Sequence, residues 1–142
     1  MKIVLDTNVL ISALLVKEGN PGKIVKQIDN KKYTLLLTKE ILIEAVNVLH
    51  RPHIRRRYPI TDKDIMTYLL QLRLNSKIVI SRLTVKVVKD DPEDNKFLAL
   101  AKQERADVIV SGDPHLTRLK NFSGIPILTP AEFLLVLRQA GD

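Results

Sequence analysis

The chain has 142 residues, 45% of them hydrophobic and 27% charged, a balance that suits one folded domain with a real core over residues 1–142 and argues against disorder. With no cysteine, disulfides, thiolate metal sites and cysteine nucleophiles are excluded; no run is apolar enough to span a bilayer, and the N-terminus enters a strand without room for a signal peptide, which fits the cytoplasm. A formal net charge of +7 points to a polyanionic partner, the competing explanation being a Lys-rich or thermophile-type surface.

Lys2–Asp6 reads as a buried strand, and Val9–Leu15 suits a largely buried helix. Gly19-Asn20-Pro21-Gly22 breaks that helix and starts a second one through Ile24, Val25 and Ile28. Tyr33–Leu37 is the second strand, and Thr38 can cap a helix running to about Leu49. A basic loop, Arg51–Pro59, follows, with Arg51, Arg55, Arg56 and Arg57 as candidate phosphate contacts. Thr61 with Asp64 makes a capping-box-like start for an amphipathic helix reaching Leu74. Ile78–Ile80 and Val85–Val88 are short strand candidates, Pro92 begins a helix through Phe97, Leu98 and Ala101, and Ala106–Val110 is a buried strand. Thr129-Pro130-Ala131-Glu132 is a capping box for the last helix. Strands separated by helices imply a three-layer α/β/α domain with a central, mostly parallel sheet.

Four carboxylates stand where regular elements start or end. Asp6 closes the first strand, where it caps the next helix or serves a site; Asn8 is an equally good cap, and it could also orient Asp6. Glu44 sits at the border of an apolar helical arc, a place open to solvent as much as to chemistry. Asp94 shares a helix face with Phe97, Leu98 and Ala101, so it points along a buried stripe. Favourable pairing with the helix dipole accounts for only about 0.3–1 kcal/mol there, and Glu93 or Asp91 could supply it from the solvent side. Asp91 is most simply the N-cap, with a supporting role at a metal as the other reading, while Asp113 before Pro114 and Ser111 before it suit either a turn or a site. His50, His53 and His115 lack ligand spacing and read as surface residues.

With Asp6-Thr7-Asn8, Glu44, Asp94 and Ser111-Gly112-Asp113 in view, the chain resembles the PIN-domain ribonucleases over essentially its whole length. It looks closest to the single-domain prokaryotic group regarded as toxins of toxin–antitoxin pairs. The resemblance implies catalytic, metal-binding acids at Asp6, Glu44, Asp94 and Asp113, with Asn8, Ser111 and Asp91 as polar helpers. It also implies cleavage of single-stranded RNA to leave a 5′-phosphate and a 3′-hydroxyl, and it brings an antitoxin protein and a second copy of the chain as partners. Two like charges about 4 Å apart repel by roughly 4 kcal/mol at an effective dielectric near 20, so the acids should gather a cation or else hold protons. Oxygen ligands without Cys or His favour Mg²⁺ or Mn²⁺ over zinc, for one- or two-ion hydrolysis of a phosphodiester. A haloacid-dehalogenase-like phosphatase would need a second Asp at the position of Asn8, and a response-regulator receiver would need its phosphorylated Asp later than Asp6. The other reading is a non-catalytic RNA- or protein-binding module whose acids serve as caps.

Overall fold

The computed structural model describes residues 1–28, 31–84 and 94–140. In chain order the elements are β1 (Lys2–Leu5), α1 (Thr7–Leu15), α2 (Asn20–Lys26), β2 (Thr34–Leu37), α3 (Lys39–Leu49), α4 (Pro52–Arg57) and α5 (Asp62–Asn75). They continue as β3 (Lys77–Ile78), α6 (Asn95–Glu104), β4 (Val108–Val110), α7 (Pro114–Thr117), β5 (Asn121–Phe122), β6 (Ile125–Leu128) and α8 (Pro130–Ala140). The described strands form one six-stranded sheet in the order β3-β2-β1-β4-β6-β5, parallel except where β5 runs against β6. Helices flank it, with α6 against β1 and β4, and α8 against β6 and α2. This is the expected α/β architecture with a mostly parallel sheet.

The central strands are apolar along their length because both faces are covered. Ile3, Val4, Leu5, Leu35, Leu36, Leu37, Ile109 and Val110 are all fully buried. Each such aliphatic side chain contributes roughly 1.5–3 kcal/mol relative to exposure, so these short strands form the stable centre of the molecule. Side-chain caps fix several helix starts where the sequence places them. Thr38 Oγ1 accepts from Ile41 N at 3.2 Å, Thr61 and Asp64 form a reciprocal capping box, and Thr129 and Glu132 form another.

Three local expectations change. The basic segment Arg51–Pro59 is not a loop throughout, since Pro52–Arg57 is helical. Pro52 presets the first helical φ and lacks the N–H that a first turn leaves unbonded, while Arg55, Arg56 and Arg57 complement the negative end of the dipole. Of the proposed strand Ile78–Ile80 only Ile78 pairs, with Lys77 before it, although Val79 N still donates to Leu37 O at 2.8 Å. A hairpin of β5 and β6 also appears that the apolar pattern alone does not announce. Its two-residue turn, Ser123-Gly124, has φ of 51° and 81°, the positive pair that matches the natural twist of a hairpin. The strand candidate Val85–Val88, the helix start at Pro92, and Asp91 lie outside the described residues.

Candidate active site

Parallel pairing brings the first acid to its place. β1 and β4 run side by side in a register that pairs Leu5 with Val110, so the residues that follow, Asp6 and Ser111, emerge together at the carboxyl edge. The sheet grows away from β1 towards β2 on one side and from β4 towards β6 on the other. Such a reversal opens a crevice outside the strand ends, where α/β sheets bind their ligands.

Asp6 is almost fully buried and performs two tasks there. Its Oδ1 accepts from Val9 N at 2.8 Å and caps α1, while its Oδ2 accepts a short hydrogen bond from the Ser111 hydroxyl. Ser111 Oγ in turn accepts from Asp113 N at 2.9 Å, which links the two acids through one buried hydroxyl. Burial pushes the Asp6 carboxyl above its usual range, against the hydrogen bonds from Ser111 and Val9, and the charge of Asp113 pushes the same way. Asp113 caps the short helix α7 by accepting from His115 N at 2.8 Å. Asp94 precedes α6 and is 8% exposed, yet its side chain does not cap that helix. It lies beside the apolar stripe of Phe97, Leu98 and Ala101, all buried, as its helical spacing requires.

Together Asp6, Thr7, Asn8, Glu44, Val48, Arg51, Asp94, Phe97 and Asp113 line one cavity of about 420 Å³. All four predicted acids therefore face the same space, each from a different segment. They are not equivalent within it. One carboxylate oxygen each of Asp94 and Asp113 comes into mutual ligand range, and the third donor there is His115, not Asp6 or Glu44. Glu44, partly exposed on α3, forms an ion pair with Lys96 of α6. Burial lowers the pKa of that ammonium from the usual lysine range, with the charge of Glu40 opposing, and Lys96 Nζ also lies 5.3 Å from the Phe97 ring centroid.

The donors fit a divalent cation. Carboxylate oxygens are hard ligands, and the buried Thr7 hydroxyl that lines the cavity has no hydrogen-bond partner among the described residues. Asp94 and Asp113 could hold such an ion directly, with Asp6 lining the same cavity and Asn8 an exposed residue of its wall. The chemistry open to this arrangement is metal-assisted displacement at a phosphorus centre.

The arginines divide by location. Arg51 reaches the acidic cavity, whereas Arg55 donates to Asp62 at 2.7 Å and Arg57 lies over the Tyr58 ring. Arg56 is exposed. His50 stands beside Arg55 and Asp62, away from the acids, and His53 is exposed, as expected of surface residues. His115 departs from that expectation, with its Nδ1 3.6 Å from Asp113 Oδ1. Sequence spacing did not single it out because its partner Asp94 is distant in the chain; its position two residues after Asp113 was the available cue. A second cavity, of about 510 Å³, is lined by residues of α1, α2 and α5, and its acid, Asp64, is engaged in the α5 capping box.

A family model described as PIN domain matches residues 2–115, which spans β1, Asp6, Glu44, Asp94, β4 and Asp113. The chain belongs to the PIN-domain family. PIN domains are generally nucleases and usually use divalent metals. An uncharacterized protein of Methanocaldococcus jannaschii is 32% identical over 142 residues, covering 94% of this chain and 90% of that protein. Among the described residues, no helix of this PIN-domain chain is long and apolar enough to cross a membrane.

Proposed function

We propose that the whole chain is one catalytic domain, a cytoplasmic metal-dependent endoribonuclease that hydrolyses phosphodiester bonds of single-stranded RNA. The observation that carries this reading is the convergence of Asp6, Glu44, Asp94 and Asp113 on one cavity in a PIN domain. Capping accounts for Asp6 and Asp113, but Glu44 stands inside α3 and the Asp94 side chain caps nothing in α6. A set that exceeds its capping duties supports a cation site.

In this reading Asp94 and Asp113 hold Mg²⁺ or Mn²⁺, with Asp6 and Glu44 as the further catalytic acids. When bound, the cation supplies a lowered pKa for water and charge to offset the leaving oxygen. Ser111 keeps Asp6 and Asp113 oriented through its two hydrogen bonds. Lys96 offsets the Glu44 charge, and Asn8 in the cavity wall orients substrate or water. Arg51 leads the RNA phosphate towards the acids, and Arg56 extends the basic surface, while Arg55 and Arg57 contribute field from their pairings with Asp62 and Tyr58. Asp91 is proposed as a further polar helper. The biological role proposed is toxin of a toxin–antitoxin pair, with an antitoxin and a second copy of the chain as protein partners. Exposed Ile43, Met66 and Leu70 on α3 and α5 are apolar surface that such partners would cover.

The test is cleavage of a panel of single-stranded RNAs by purified chain with Mn²⁺, Mg²⁺ or chelator. Metal-dependent cuts that vanish in Asp94→Asn and Asp113→Asn, with the fold retained, are expected. Tight RNA binding with no cleavage under any metal would instead establish a non-catalytic binding module.

A further inference from the structure

We infer that His115 is a nitrogen ligand of the cation held by Asp94 and Asp113, and that it tilts the site from Mg²⁺ towards Mn²⁺. The inference rests on the proposed metal-dependent site and specifies its donor set. One donor atom each from Asp94, Asp113 and His115 lies within 4.8 Å of the others. Two ligands about 2.1 Å from one ion stand about 3.0 Å apart at right angles and about 4.2 Å apart when opposed. The separation of 3.6 Å between His115 Nδ1 and Asp113 Oδ1 falls between those limits, and it is too long for a hydrogen bond. His115 Nδ1 is buried and, among the described residues, has no hydrogen-bond partner, although the rest of the ring reaches solvent. A histidine that merely decorated the surface would turn this nitrogen to water.

The backbone holds the geometry. Asp113 Oδ1 accepts from His115 N at 2.8 Å, so carboxylate and imidazole are tied to the same turn before any ion arrives. The Thr7 hydroxyl adds an independent sign of a ligand, a buried polar group in the cavity wall without a partner among the described residues. For coordination the imidazole carries its proton on Nε2, leaving the Nδ1 lone pair for the metal. Mg²⁺ prefers an all-oxygen shell, whereas imidazole suits transition ions, so one nitrogen donor favours Mn²⁺ in the competition.

The experiment is pulsed electron paramagnetic resonance and Mn²⁺ titration of the full chain and of His115→Ala and His115→Asp, with Mg²⁺ as competitor. Nitrogen hyperfine coupling is expected in the wild type and absent from both variants. Mn²⁺ affinity should fall on the order of tenfold in His115→Ala, with a smaller change for Mg²⁺. His115→Asp should bind again through oxygen, with the preference for Mn²⁺ reduced. Were His115 only a cation paired with Asp113, its removal would leave Mn²⁺ affinity unchanged or tighten it, and that result overturns the inference. Mn²⁺ bound through Asp94 and Asp113 without nitrogen coupling overturns it too, while the nuclease proposal stands. Mn²⁺ titrations identical in wild type and Asp94→Asn would remove both.

Discussion

In Asp6→Ala the N-cap of α1 disappears, and the buried Ser111 hydroxyl loses its acceptor. A lost cap costs about 1 kcal/mol and an orphaned buried donor about 1–3 kcal/mol, offset in part by removing a desolvated charge. A net loss of about 1–3 kcal/mol is expected for metal-free protein, or roughly 3–5 °C of melting temperature per kcal/mol at this chain length. Asp6→Asn behaves differently, because an amide oxygen caps as well as a carboxylate and the amide N–H can donate to Ser111 Oγ. Asp6 has its folded pKa raised above 3.8, so in the window between the two values the folded state binds more protons than the unfolded state. Wild-type stability contributed by this group therefore falls as pH rises through that window, and Asp6→Asn removes the decline. The assay is thermal unfolding in chelator from about pH 4 to about pH 8, beside RNA cleavage with Mn²⁺. Both variants should lose cleavage, but only Asp6→Ala should melt well below wild type at the upper pH. An Asp6→Asn protein that melts as low as Asp6→Ala there, or that keeps the wild-type pH slope, would refute the reasoning.

Two further outcomes probe surface and core. Arg51→Ala should weaken RNA binding to the full chain and reduce the slope of log affinity against log salt by about 0.7, the share of one single-strand phosphate, as titrations at several salt concentrations would read. An unchanged slope would place Arg51 off the RNA path. Tyr68 is buried, which raises its pKa, its hydroxyl donates to Leu10 O at 2.6 Å, and it lines the second cavity, not the acidic one. Tyr68→Phe should therefore cost about 1 kcal/mol, near 3–5 °C by calorimetry, and leave RNA cleavage at the wild-type rate.

Local rules make much of this fold legible in the sequence. The apolar run Ile3-Val4-Leu5 could only be a buried strand, and Thr38, Thr61 and Thr129 each needed nothing beyond their own next turn to start a helix. The alternation of such segments implied the parallel sheet, and the helical spacing of Asp94 with Phe97 and Leu98 placed that acid on a buried face. Where the same rules misled, a local feature was underweighted: Pro52 in the basic segment and Ser123-Gly124 in the hairpin turn.

The site itself belongs to the tertiary structure. Asp6 and Ser111 meet across 105 residues because β1 and β4 share a register, and no periodicity within either segment encodes that pairing. An ion pair from α3 to α6 gives Glu44 to Lys96, a partner that helix-wheel reasoning cannot supply. The turn after β4 likewise swings His115 against Asp94, changing a surface histidine into a neighbour of the acids. Patterning and caps act over one or two turns, so the sequence determined most of the elements and the buried faces of the long ones. Charge pairing and ligand geometry act across space, so only the assembled sheet decided which side chains come within reach of one ion.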